Sequence, residues 1–460
     1  MQLGDVRRHS RLVSIFDQLL AHPTSGRVSA AFHEQKHRTA AYRFLHCRGF
    51  CARELHNGIA LCTAARLTAL APARRDRVVV ALDRCALNLS STSAGLNPLQ
   101  SDQCGAGLWL LNAVAIQTDA LLPIGLLTQL ITERPKVSVS ETMNRYQAHA
   151  RPWHEKESYH WKIAIEDCLA TLHSGGLKQF RPNFVIDREG DIAELFDWVR
   201  DQPCDLTVRL REKTRRELGS GLRIDQAMAA HSAEAQYSLY LPRQKRRAHV
   251  EVAFAPLSYQ VFERLISGHR KPTGSLHLWM VHVREVNPPA DVEAVEWMLW
   301  TTQCVETIEE ALELVRDYNA RWMIERVHHG LKQVYKLEQT QLRTRSALER
   351  WIHILTEAAV QLERVMKRSR EEPEIAAIEE VSVEAVYAVM MAQPKAPNPE
   401  TLKQLEEATL GEFTLWLALL GGYVNQKNQG PPGHIVLSRG WVLVQGLMQA
   451  IEIGRLSLPK

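Results

Sequence analysis

The chain has 460 residues, of which 45% are hydrophobic and 23% charged, a balance that allows two or three ordinary globular domains and no fibrous or low-complexity architecture. The longest apolar run, Leu108 to Ile116, contains Asn112 and is too short to span a bilayer, and the N-terminus, MQLGDVRRHSR, lacks the apolar segment of a signal peptide. Both features point to the cytoplasm and away from a membrane partner. The net charge is +4, but residues 1–60 alone carry nine Lys and Arg against four Asp and Glu, and six of the 19 His. A basic N-terminal segment on a near-neutral body is the footprint of a polyanion-binding module.

Residues 4–21 read as an amphipathic helix with Leu12, Ile15, Phe16, Leu19 and Leu20 on its apolar stripe. His22 to Gly26 is a turn, a second helix covers 28–46 with Lys36, His37, Arg38 and Arg43 on its surface, and a third covers 51–70. The eight cysteines are scattered. Cys47 and Cys51, beside His46, have no second ligand pair at zinc spacing, so reduced, mostly buried thiols are expected.

From Arg77 the character changes. RVVVAL (77–82) is a buried strand ending at Asp83, and 107–115 with 121–127 form a hairpin. Residues 155–172 read as a helix. Asn183 to Ile186 is a short strand ending at Asp187, residues 191–200 are helical, and 205–210 is a further strand. Residues 215–300 alternate as strands, including YSLYL, AHVEVAFA and SLHLWMVHVREV. Thr307 with Glu310 makes a capping box that opens a helical region, followed by a long helix over 346–369. Residues 370–400 are acidic and Pro-rich, a linker around short helices, and the last 50 residues are helical with a Gly421-Gly422 turn. The chain thus divides into a helical part (1–72), a strand-containing core (73–369) and a helical end (370–460), an α/β protein with flanking helical domains.

Tyr318, Arg321, Glu325 and Lys332 fall within a stripe of roughly 60° on one helix, opposite Met323, Ile324, Val327 and Leu331. Taken alone, this is an ordinary solvated helix face. Together with Asp83 and Asp187 it describes something narrower. Each Asp follows an apolar strand, where a sheet leaves its core and catalytic groups collect. Three converging carboxylates repel one another unless cations bind, and oxygen-only ligands select Mg²⁺ or Mn²⁺. Two such ions support phosphodiester cleavage by water or a 3′-hydroxyl.

Asp83, Asp187 in DREGD, and Glu325 in YNARWMIE with Lys332 seven residues on resemble the DDE transposases of bacterial insertion sequences, in particular the Tn-five-like (IS-four) group. GDVRRHSRL (4–12), AAYRFL (40–45), NPP (287–289), EWMLWT (296–301), LGGY (420–423) and RGW (439–441) extend the resemblance over nearly the whole chain. The resemblance implies an RNase H-like catalytic core with a β-rich insertion at about 215–300, a helical DNA-end-binding domain, and a helical C-terminal domain that dimerises. It implies cut-and-paste transposition with nicking, hairpin formation and strand transfer, on double-stranded DNA ends and target, by a homodimer in a synaptic complex bound to the nucleoid. Asp83, Asp187 and Glu325 would be catalytic ligands of two Mg²⁺ (or Mn²⁺) ions. Tyr318, Arg321, Lys332 and Arg209 would bind phosphates, Trp297 would stack a flipped base, and Arg38 and Arg43 would contact the transposon end.

The sequence departs from the group in three places. Arg84-Cys85 follows Asp83 where small hydroxyl residues are usual, so Arg84 would either compete with an ion or point away. Asn112 replaces a His, and the chain begins almost on its first motif. Two other readings fit the same residues: a non-catalytic DNA-binding relative, and a metal-dependent nuclease without strand transfer.

Overall fold

The computed structural model describes residues 5–21, 26–32, 34–90, 95–99, 105–134, 150–211, 215–241, 244, 246–265, 267, 269–393, 407–426, 430–433, 436–437, 439–441, 443–444 and 447. Residues 22–25 of the turn expected at 22–26, residues 394–400 of the Pro-rich stretch and the last 13 residues lie outside the described residues.

Apolar, β-branched runs pair into one nine-stranded sheet in the order β3-β2-β1-β4-β5-β9-β8-β7-β6. Its strands are β1 (Val78–Asn88), β2 (Gly107–Gln117), β3 (Leu122–Thr132), β4 (Asn183–Ile186), β5 (Asp205–Arg209), β6 (Ala235–Leu241), β7 (Arg246–Arg264), β8 (Arg270–Glu285) and β9 (Glu296–Thr301). β1 to β3 form an antiparallel meander, while β1, β4 and β5 run parallel. The strand-rich stretch 215–300 does not form a separate sheet. β9 returns to pair with β5, so β6 to β9 extend the same sheet.

The longer helices are α1 (Val6–Ala21), α2 (Gln35–Leu45), α3 (Ala52–Ala69), α4 (Tyr159–Ser174), α5 (Ala193–Val199), α6 (Ile308–Ala320), α7 (Trp322–His329), α8 (Arg345–Glu371), α9 (Val383–Met391) and α10 (Leu410–Leu420). The single helix expected over 28–46 is broken. Residues 28–31 form one turn, Phe32 is extended, and α2 starts at Gln35. Buried Phe32 packs on Trp351 of α8, with ring centroids 6.2 Å apart, and tertiary packing here overrides helical continuity.

The two faces of the sheet follow strand alternation. Val79, Ala81, Cys85 and Val185 share a core with α1, α2, α6, α7 and α8. Val78, Val80, Leu82, Phe184 and Ile186 share the other core with α4 and α5. Helix α3 runs over the edge strand β3 and contributes to both cores, Leu55 and Ile59 to one, Ala64 and Leu67 to the other. Its Thr63 hydroxyl donates to the Leu126 carbonyl at 2.8 Å, and Arg66 donates to Ile124 at 3.1 Å. The exposed edge that β3 would otherwise present is thereby covered.

Arg350 and Trp351 of α8 hold the N-terminal helices. Arg350 donates to the carbonyls of Leu45 and Phe50 and lies 4.6 Å over the Phe50 ring, and the Trp351 indole N–H donates to Gly26 at 2.8 Å. Among the described residues, no helix is long and apolar enough to cross a membrane. Of the described cysteines, Cys85, Cys168 and Cys204 are buried and Cys51 and Cys304 are exposed. Cys51 serves as N-cap of α3, its sulfur accepting from Glu54 N.

Candidate active site

The strand expected to end at Asp83 continues to Asn88 on its β2 side, because β2 is long enough to pair all of it. On its other side, pairing with β4 stops at Leu82↔Ile186. The parallel register therefore places Asp83 and Asp187 next to each other at the point where the two strands part. Both share the face of Val79, Ala81 and Val185, the face covered by α7. Arg84, one residue on, faces the other way. Its guanidinium lies 4.6 Å over the Trp109 ring and 3.3 Å from Glu157, so it points away from the site.

Asp187 begins the tight turn Arg188–Gly190. Gly190 is required there, since a Cβ would lie 2.6 Å from the Ile186 side chain and push the turn off β4. The second aspartate of DREGD has a different task. The Asp191 side chain is fully buried, pairs with Arg215 and accepts from Arg211 N at 2.9 Å, so it locks the loop rather than facing the site.

The expected helix over 318–332 bends. Tyr318 lies in the last turn of α6, Arg321 caps the junction, Glu325 lies on α7, and Lys332 falls in a π-helical turn, Gly330–Val334. The first half of the polar stripe is turned inward, and Glu325 and Lys332 are half-buried. Tyr318 and Arg321 are 4% and 8% exposed. The Tyr318 hydroxyl donates to Asp187 Oδ1 at 3.3 Å, Arg321 donates to Glu325 Oε1 at 2.6 Å, and its other terminal nitrogen lies 3.8 Å from Asp83 Oδ2. The buried Nε of Arg321 has no acceptor among the described residues. Lys332 lies 3.6 Å from Glu338 at the rim.

Burial pushes the Asp83 carboxyl up to about 7; Arg321 opposes this, and Glu325 and Asp187 add to it. Burial likewise raises the Tyr318 phenol to about 12. Asp83 is thus a carboxylate short of positive charge, which fits a hard divalent cation. The acids do not form a closed shell in this structure: among the described residues no group of three His, Cys, Asp or Glu stands at metal-holding spacing, and Arg321 bridges Asp83 and Glu325.

Around this centre, Trp297 of β9 is half-buried and meets Tyr318 edge-on, with ring centroids 5.0 Å apart. Arg209 of β5 donates to the Glu296 carbonyl at 3.1 Å and is close enough to Tyr318 to favour its ionised form. Arg38 and Arg43 lie on α2, apart from this cluster. Arg43 is exposed, and Arg38 Nε donates to the Phe32 carbonyl at 3.2 Å. The sequence reading missed His328, whose Nδ1 lies 3.8 Å from Asp83 Oδ2. Burial and the cations Lys332 and Arg321 lower its pKa to about 3, so it is neutral. The spacing Glu-x-x-His, from Glu325 to His328, puts both on one helix face and was the available signal.

Residues 164–360 match the transposase DDE domain family, and residues 1–48 match the transposase DNA-binding family. The chain therefore carries a transposase DDE domain and a transposase DNA-binding domain. Among solved structures, the chain is similar to a piggyBac transposase in a synaptic complex with hairpin DNA, at 8% identity and a TM-score of 0.28 over 64% of this chain. It spans about half of that chain, 48%.

Proposed function

We propose that the chain is a cut-and-paste DNA transposase of the Tn-five-like type, with an RNase H-like core at 73–369 and helical DNA-end-binding and dimerising domains at 1–72 and 370–460. The observation that carries the reading is the Leu82↔Ile186 register, which sets Asp83 and Asp187 side by side under the helix that bears Glu325. The strand order β3-β2-β1-β4-β5, antiparallel then parallel, supports the RNase H-like assignment.

In this reading Asp83, Asp187 and Glu325 hold Mg²⁺ or Mn²⁺. Two such ions, when bound, would supply Lewis-acid activation of water or a 3′-hydroxyl and charge for the leaving oxygen in nicking, hairpin formation and strand transfer. Arg321 releases Glu325 to this role and turns its Nε–H to a phosphate oxygen. Tyr318 keeps Asp187 oriented, Arg209 and Lys332 flank the cleaved end, and Trp297 receives an extruded base. Arg38 and Arg43 grip the transposon end, and two copies of the chain pair in a synaptic complex.

The test is a cleavage assay with the purified chain, Mg²⁺ and a labelled duplex carrying the DNA that flanks the gene, where this reading expects short inverted repeats. Nicked, hairpin and strand-transfer products are expected in that order. Binding without cleavage would replace this reading with a non-catalytic DNA-binding protein, and nicking alone would replace it with a nuclease.

A further inference from the structure

A line of buried polar side chains crosses the core beneath Asp83. The His353 ring (Nδ1) meets Gln129 Oε1 at 2.6 Å, and Gln129 Nε2 donates to Thr356 Oγ1 at 2.9 Å and to Asn112 Oδ1 at 2.7 Å. Asn112 Nδ2 then meets His328 Nε2 at 2.9 Å. Asn112, Gln129, His353 and Thr356 are all at most 5% exposed. An array of this kind is costly to bury unless every member is satisfied, so its donors and acceptors must alternate along the chain. An amide NH₂ can only donate. With the Asn112 amide nitrogen turned toward His328, Asn112 donates to a bare Nε2, which leaves the ring proton on Nδ1, the atom that faces Asp83 Oδ2 at 3.8 Å.

The register explains why these residues meet. Asp83 pairs with Asn112 and Asn112 with Gln129 across three neighbouring strands, so all three project from the same face. Helix α8 supplies His353 and Thr356 to that face, and α7 supplies His328. A His placed by sequence in an apolar helix face would ordinarily be a satisfied core residue. Here one nitrogen is satisfied by the core and the other is delivered to the acid.

We infer that His328 is a positioning residue for Asp83: its Nδ1–H, fixed by the Asn112–Gln129–His353 chain, faces one carboxylate oxygen from 3.8 Å and closes on it when the other takes a divalent cation. The inference rests on the proposed reading of Asp83 as a metal ligand. Groups that orient ligands in this way typically change metal affinity 10- to 100-fold when removed. Asn112 has a task of its own in this arrangement, because it is the donor that fixes the His328 tautomer.

Two measurements on the full-length chain test this. Long-range ¹H–¹⁵N correlation spectra of histidine-labelled protein, with the His328 signals assigned by loss in His328→Asn, should show the Nδ1–H tautomer. The Nε2–H tautomer overturns the inference. Mn²⁺ titrations followed by the EPR signal of the free ion should show His328→Ala and His328→Gln weakening affinity by about tenfold or more. His328→Asn should recover most of the loss, because its amide nitrogen occupies the place of Nδ1. Equal loss in the Asn and Ala variants, or none in either, overturns the inference while Asp83→Asn still abolishes binding. Unchanged binding in Asp83→Asn overturns the metal-site reading and this inference together. Should His328→Ala fail to fold, Asn112→Leu keeps the ring and carries the same test, with loss of the Nδ1–H tautomer expected and its persistence contradicting the inference.

Discussion

Trp297 stands edge-on to Tyr318 at 5.0 Å, and Tyr318 donates to Asp187 at 3.3 Å, so a single tyrosine connects a tryptophan on strand β9 to an acid on the loop after β4. The route exists because β9 returns to pair with β5, next to β4. In the proposed mechanism the sharply bent hairpin extrudes a base and Trp297 stacks it. Trp297→Ala should then spare the first nick and slow hairpin formation by roughly one to two orders of magnitude, from a stacking loss of about 1–3 kcal/mol. Timing both steps on one labelled end, with a thermal melt alongside, separates this from packing. If nicking and hairpin formation fall together and the melting temperature drops, Trp297 only supports Tyr318.

Asp187→Asn is a clean probe because an amide oxygen still accepts from the Tyr318 hydroxyl, leaving the local packing intact. Mg²⁺-dependent cleavage should fall by well over tenfold, while DNA-end binding, carried by cations, stays nearly unchanged. A variant retaining more than about a tenth of the wild-type cleavage rate would remove Asp187 from the metal site.

Asp83 gives a pH dependence. An unfolded Asp titrates near 3.9, whereas the native Asp83 carboxyl lies at about 7. Between these values the folded chain keeps a proton that the unfolded chain has lost, so without metal its stability should fall as pH rises through this window and level off above it. A cation must displace that same proton. Mn²⁺ affinity should climb roughly tenfold per pH unit below about 7 and then plateau, with one proton released per ion bound in the acidic range. Calorimetric titrations in two buffers of different ionisation enthalpy would show it; an affinity independent of pH over about pH 5.5 to 8 would contradict it.

For the N-terminal helices the quantity to measure is salt dependence. Arg38→Ala with Arg43→Ala should weaken binding to the transposon end and reduce the slope of log K against log salt by about 0.9 for each phosphate that loses its arginine. Arg43→Ala alone is the simpler probe, since Arg38 also braces the Phe32 carbonyl and its removal should loosen the start of α2. An unchanged slope in the double variant would move the DNA surface elsewhere.

Arg350→Met tests how the N-terminal helices are attached. The substitution leaves the buried carbonyls of Leu45 and Phe50 without a donor and removes the guanidinium from the Phe50 ring. A cost of about 2–5 kcal/mol is expected from the two unsatisfied acceptors and the missing cation over the ring. It should appear as a lower melting temperature and faster proteolysis between Gly26 and Phe50. A melting temperature equal to wild type would show that Trp351 and Phe32 hold the attachment without it.

The sequence by itself determined the elements whose signal is local. Strand β4, the capping box at Thr307 and the stripe from Tyr318 to Lys332 are readable because alternation, helical period and a side-chain cap act within a few residues. The two domain families at 1–48 and 164–360 agree with the basic N-terminal segment and the acid-bearing core that it described. Tertiary structure decided the rest. That β1 continues past Asp83, that β6 to β9 extend one sheet, and that helix 28–46 breaks at Phe32 all depend on partners distant in sequence. The same holds for the chemistry. Asp187 and Asp191 look alike in DREGD, and only Arg215 and Arg211 tell them apart. Arg84 faces away from Asp83 because a strand alternates its side chains, but what it meets there is Trp109 and Glu157, brought by β2 and by the turn ahead of α4. Local preferences act over one turn or one pleat, whereas the pairing of Leu82 with Ile186, and with it the meeting of Asp83 and Asp187, is set by burial of a whole sheet.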